Sequence, residues 1–252
     1  MPSKLSKLID RHLNYYKRSE KKDFDKARRF YRGNFFTSSD SDISGMSSHS
    51  YLCSKNIIYA IADTAVSALL GPNPSVGAIA RTPKSQDAAP SVTGLVEYVF
   101  DANNFRRKAA TTLIDAVLCK RGIFKTGWDA KKDIPIVRAI NPSSIFFDLT
   151  VRDADDIRYW IEATVISYDE FKIRVKSGQY KAELVKEVTP DRYPKWLLDE
   201  NQKSTTDTVR DAFQWVTIYE YYDRERGIMQ HYIKQADAVV FEDKIDYIPY
   251  SM

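Results

Sequence analysis

The period of the apolar residues changes once along this chain, at Gly122, and that change limits the folds open to it. Upstream, apolar side chains recur at helical spacing; downstream, they alternate with polar ones. The first pattern marks helices and the second marks half-buried strands. Helices first and strands second read as an α+β fold with a mainly antiparallel sheet. No internal repeat interrupts that order.

The helical half divides at its glycines, prolines and polar runs. Leu5, Leu8, Ile9, Leu13 and Tyr16 form a helical stripe over residues 4–18, and a second helix is expected from about Lys22 to Arg32, ending at Gly33. Residues 37–50, rich in Ser, Asp and Gly, are expected to be a flexible loop. Leu52–Leu70 predicts a buried helix with Ile57, Ile61, Ala65, Ala68 and Leu69 on its inner face, stopped by Gly71-Pro72-Asn73-Pro74. Residues 75–80 predict a short strand, Ser91 or Thr93 caps the next helix, Asn103-Asn104 breaks it, and another runs from Phe105 to about Lys120.

Strands are expected at 123–128, 135–140, 144–148, 158–166, 214–222, 229–235 and 239–242, with a short helix capped by Ser167 and a polar loop over 187–213. The organisation read from this pass is a basic helical segment at 1–36, the loop at 37–50, and an α+β domain at 51–252. Ile248–Met252 follow strand patterning directly, so that domain is expected to be truncated at its C-terminal end.

The net charge of +4 hides an uneven distribution. Residues 1–36 hold eleven Lys/Arg against four Asp/Glu, leaving twenty-seven against thirty in the remainder. Such asymmetry fits contact with nucleic acid or another acidic surface, and equally a solvated helix face. Aromatic residues reach 13%, with sixteen Tyr, which suits either strand packing or subunit interfaces. No apolar run approaches the ~20 residues that cross a bilayer, and the N-terminus lacks a signal-peptide core. Maturation in a cytosol is expected, with Cys53 and Cys119 as buried free thiols.

The usual marks of catalysis are missing from the sequence. His12, His49 and His231 are scattered, and no Cys/His spacing suggests zinc. Neither Arg121-Gly122 nor Gly127-Trp128 belongs to a phosphate-cradling loop, there is no nucleophile elbow, and neither Cys sits beside a base. Asp148, Asp153, Asp155 and Asp156 could in principle hold two metals for phosphodiester cleavage, but acidic turns between strands serve solubility and turn geometry as well. Glu97 and Glu162 read as solvated or interface groups.

The order of motifs resembles that of tailed-bacteriophage portal proteins. Ala27-Arg28-Arg29-Phe30-Tyr31-Arg32-Gly33 is similar to the family's basic helical start. Asn56-Ile57-Ile58 through Leu70-Gly71-Pro72-Asn73-Pro74-Ser75-Val76 matches its helix that opens on Asn and ends at a Pro-x-Pro-like turn. Lys120-Arg121-Gly122-Ile123-Phe124-Lys125-Thr126-Gly127-Trp128-Asp129 matches its glycine-containing strand with a Gly-Trp end. Ile136-Val137-Arg138-Ala139-Ile140-Asn141-Pro142-Ser143-Ser144-Ile145-Phe146-Phe147-Asp148 supplies the Asn-Pro turn and aromatic-Asp pair. The stretch from Asp153 to Trp160 and the helix start Ser167-Tyr168-Asp169-Glu170-Phe171 continue the resemblance. It covers 27–171, whereas 187–213 match nothing in the family's pattern.

The resemblance implies the wing region of a head-to-tail connector, with stem, clip and crown missing, and therefore no channel-lining residues. It implies a homo-oligomeric ring of twelve at one capsid vertex, and partners in the terminase motor, the major capsid protein, a head-tail adaptor and double-stranded DNA, with no membrane. It implies location in the virion at the head-tail vertex after synthesis in the host bacterial cytoplasm, and no enzyme activity or cofactor of its own. Under it, Lys17, Arg18, Lys21, Arg28, Arg29 and Arg32 are the candidates for contact with an acidic partner or packaged DNA. The alternative is a metal-dependent nuclease built on Asp148 and its neighbouring carboxylates.

Overall fold

The computed structural model describes residues 3–35, 55–71, 76–151, 153–180, 188 and 214–252. In chain order its helices and first strands are α1 (Lys4–Tyr15), α2 (Lys21–Tyr31), α3 (Ile57–Leu70), α4 (Ala89–Ala102), α5 (Phe105–Cys119), β1 (Ile123–Asp129) and β2 (Ile134–Ile140). Then follow β3 (Ile145–Phe147), β4 (Tyr159–Ser167), α6 (Tyr168–Lys176), β5 (Trp215–Asp223), β6 (Ile228–Ile233), β7 (Ala238–Lys244) and β8 (Tyr250–Ser251). The α+β class and the antiparallel pairing expected from the sequence hold. The expected loops at 37–50 and 187–213, with Cys53 and His49, lie outside the described residues, apart from Val188.

Two compact units form, each from separated stretches of chain: Met1–Asp25 with Ser143–Ile248, and Lys26–Pro142 with Pro249–Met252. The first is built on the five-stranded antiparallel sheet β3-β4-β5-β6-β7. Alternation along β4 sends Ile166 and Trp160 to one face and Tyr159 and Ile161 to the other. On the first face lies the cluster Ile166, Phe171, Val216, Ile218, Ile233 and Val240, with Phe171 of α6 fully buried. Ser167 caps α6 by accepting from the Glu170 amide at 3.1 Å, as its position before the apolar run predicts.

On the second face lies α1, which buries Ile9, Leu13 and Tyr16. Tyr16 meets Phe146 edge-on, with ring centroids 6.0 Å apart. Ser3 caps α1 by accepting from the Ser6 amide at 3.1 Å. Between α1 and α2 the helix does not break but widens into a π-helical turn, Tyr16–Glu20. The sequence reading placed a gap there; the single charged residues between the two stripes are instead carried on a continuous helix.

The second unit packs α5 on the three-stranded antiparallel sheet β2-β1-β8. The sequence reading treated all strands as one sheet and missed β8, because a two-residue strand carries no periodicity. The β1–β2 turn closes through Asp129, whose carboxylate accepts from the Lys131 amide at 3.0 Å, with Asp133 left-handed at φ 55°.

Three expectations in this unit are corrected. The helix beginning at Ile57 exists, but its assigned inner stripe is outermost: Ile57, Ile61 and Leu69 are exposed, and only Ala62 and Val66 are buried. A helix apolar on every side gives periodicity nothing to choose between. Residues 76–80 form no strand. And α4 begins at Ala89, with Pro90 in its first turn, ahead of the expected Ser91 or Thr93 cap. Thr93 instead accepts from the Ala78 amide at 2.9 Å, tying down the segment that had been expected to be a strand.

Candidate functional site

The basic residues singled out in the sequence fall into the two units separately. In the first, Lys17 and Arg18 are exposed on the π-helical turn, whereas Lys21 is ion-paired with Asp25 at 2.7 Å, one helical turn on. In the second, Arg28 is drawn inward. Its guanidinium donates to the Asn141 side chain at 2.8 Å and lies 3.7 Å from the Asp115 carboxylate. Arg29 lies half-buried over the Phe30 ring at 5.2 Å, and Arg32 is exposed. Of the six, Lys17, Arg18 and Arg32 are the exposed ones.

The engagement of Arg28 has a reason that the sequence did not disclose. Burial pushes the Asp115 carboxyl above the usual carboxylate range, and the Arg28 guanidinium partly offsets that rise. The same pocket holds the Cys119 thiol, which is fully buried and pushed up to about 11, chiefly by burial. A thiol held so far from its thiolate form is a packing group rather than a nucleophile.

The acidic residues lie in the turns around β3 and a short 3-10 turn before β4. Asp148 follows β3 and accepts from the Thr150 amide at 3.0 Å and the Thr150 hydroxyl at 2.6 Å, an Asx turn. Those bonds hold its carboxyl below the usual range, with help from Arg158, whose Nε lies 3.6 Å away. Asp153 caps a short 3-10 turn by accepting from the Asp155 amide at 3.1 Å. Among the described residues no group of three His, Cys, Asp or Glu side chains could hold a metal ion. Of the four carboxylates considered for a nuclease site, Asp148 and Asp153 have local structural partners.

One polar cluster escaped the sequence reading. His12 of α1 shares a 2.8 Å hydrogen bond between Nε2 and the Tyr159 hydroxyl of β4, and its ring leans on Phe146. Burial lowers the His12 pKa, and the charge of Asp148 works against that lowering. Nothing in a lone histidine between Arg11 and Leu13 could have shown this pairing, since its partner is 147 residues away. The cluster fastens α1 to the sheet.

Comparison with known proteins identifies a family. The model of the phage P22-like portal protein family matches residues 8–244, reaching into both units. No curated protein matches the chain in sequence. With nearly its whole length matched, the chain belongs to the P22-like portal proteins of phages, a family of structural, ring-forming subunits at the head vertex of the virion.

Proposed function

We propose that this chain acts as a portal subunit and carries its wing region. Its ring of twelve would occupy one capsid vertex, admit DNA during packaging, release it later, and join head to tail. The observation that carries this reading is the family match over residues 8–244, which runs from the basic helical segment through β7. A heterologous contact repeated around a closed ring creates the channel, and the energy for translocation comes from a separate terminase motor. Major capsid protein and a head-tail adaptor are the further partners that such a vertex demands.

Within that role, Lys17, Arg18 and Arg32 are proposed as the contacts to packaged DNA or to an acidic partner. Each phosphate contact adds roughly 0.9 to the slope of log affinity against log salt. Neutralising all three to Ala should therefore lower DNA retention in a salt-dependent way; equal retention at all salt concentrations would remove the electrostatic part. The deciding experiment is a reconstruction of the assembled particle. Residues 4–252 are expected in a cyclic assembly at the vertex, and their absence from it would refute the reading. A nuclease reading would require magnesium-dependent DNA cleavage that Asp148→Ala abolishes.

A further inference from the structure

Helix α3 carries one charged side chain, Asp63, in fourteen residues. Its outward face is apolar: Ile57, Ile61 and Leu69 are 61%, 64% and 64% exposed. Helix α4 repeats the pattern, with Val92, Leu95 and Tyr98 exposed at 46%, 61% and 59% and spaced so as to share one face. Both helices pack on α5, and between them opens a groove of ≈ 840 Å³ whose walls include Asp63, Val66, Glu97, Phe100 and Arg107.

A helix that is apolar all round is normally buried all round. This one does not span a bilayer. At about 1.5 Å per residue, fourteen residues fall well short of the ~30 Å hydrocarbon core, and no described helix is long and apolar enough to cross a membrane. Area points to a protein. At roughly 150–220 Å² per fully exposed large side chain, the six residues expose on the order of 650 Å². That exceeds the largest patch of a typical monomer, ~300–600 Å², and approaches the ~800 Å² each partner gives to a standard interface.

We propose that the outward faces of α3 and α4 form the junction with a second copy of this chain. The inference rests on the portal reading, since a ring offers each subunit the same neighbour on the same side. The junction is heterologous: this face meets a different surface of the adjacent subunit. Other exposed apolar side chains among the described residues include Ile79, Val117, Trp128, Leu149, Ile173 and Tyr247.

The test uses the complete portal chain. Ile61→Cys, carrying a photoreactive label, is assembled from an equal mixture of two differently tagged copies and irradiated. Adducts joining the two tags are expected. Ile61→Glu with Leu95→Glu should weaken assembly roughly tenfold or more, read by native mass measurement, because each junction would bury carboxylates. The fold of that variant should persist, since both positions are exposed, and circular dichroism checks this. If rings form but adducts stay within single chains or do not form, the inference is overturned, as it is if the double variant assembles like the wild type. Failure of the unaltered chain to form rings would overturn the portal reading itself.

Discussion

At Asn103 a single side-chain amide completes the outer edge of β2. Its Nδ2 donates to the Pro135 carbonyl at 2.8 Å, and its Oδ1 accepts from the Val137 amide at 3.0 Å. A neighbouring strand would offer the same donor and acceptor to alternate residues, so the amide caps an edge otherwise open to pairing with another chain. The residue is 5% exposed, and its Nδ2 also donates to the Val99 carbonyl. Asn103→Leu removes the amide and leaves the Pro135 carbonyl and the Val137 amide without that partner. It is expected to destabilise by about 1–3 kcal/mol in urea unfolding; an unchanged midpoint would show that water replaces the amide without loss.

His12 gives a second expectation at this scale, in which the sign follows from burial. Its folded pKa lies below the ordinary 6.5, so on acidification the unfolded chain takes the proton first. Stability is fully present above about pH 6.5 and declines as the pH falls through the window down to the folded pKa. The groups facing the ring are the Tyr159 hydroxyl, the Phe146 ring and, at longer range, the Asp148 charge. His12→Gln can keep a hydrogen bond to Tyr159 and removes the titration. Its urea midpoint should vary less between pH 7.5 and 5 than that of the wild type. An equal pH dependence in the two proteins would assign the acid sensitivity to other groups.

At the scale of elements, what was legible in the sequence and what was not divides along a physical line. Elements with a single buried face declared themselves: β4, β5 and α6 lie within a residue or two of the expected spans, because alternation and a Ser cap are local signals. Elements whose partners are distant did not. Helix α3 was expected at the right place and on the wrong face. Gly122 marks the change of period, and the left-handed residue that ends α5 is Lys120, at φ 62°. Gly122 is needed for close approach: a Cβ there would lie 2.4 Å from the Thr112 carbonyl oxygen. The candidate site divides in the same way. Clustered Lys and Arg are visible in any sequence, but whether Arg28 points out to a partner or in to Asp115 depends on a helix that begins 77 positions later.

At the scale of the whole molecule, the first unit is made from two stretches far apart in the chain, Met1–Asp25 and Ser143–Ile248. Its core cannot close until the second stretch exists, and such non-local contacts slow folding. The N-terminal stretch is nonetheless structural: Ile9 and Tyr16 are 0% and 1% exposed. Asp10 pairs with Lys234, and the Ser3 amide donates to Asp237 at 3.0 Å. A basic lead that served only to meet DNA could be removed without harm to the sheet. This one covers Phe146 and Tyr159, so its loss would leave an apolar sheet face in water. Ile9→Ala alone is expected to lower stability by about 2–5 kcal/mol. Deletion of Met1–Tyr16 should produce a chain that binds hydrophobic dyes and aggregates, and a peptide of residues 1–25 added back should reverse both effects in part. Lys17→Ala with Arg18→Ala, by contrast, should leave the unfolding midpoint within about 0.5 kcal/mol of wild type, since both side chains are exposed. A deletion as stable as the intact chain would mean that α1 only rests on the sheet, and the basic segment would then have to be explained by its partners alone.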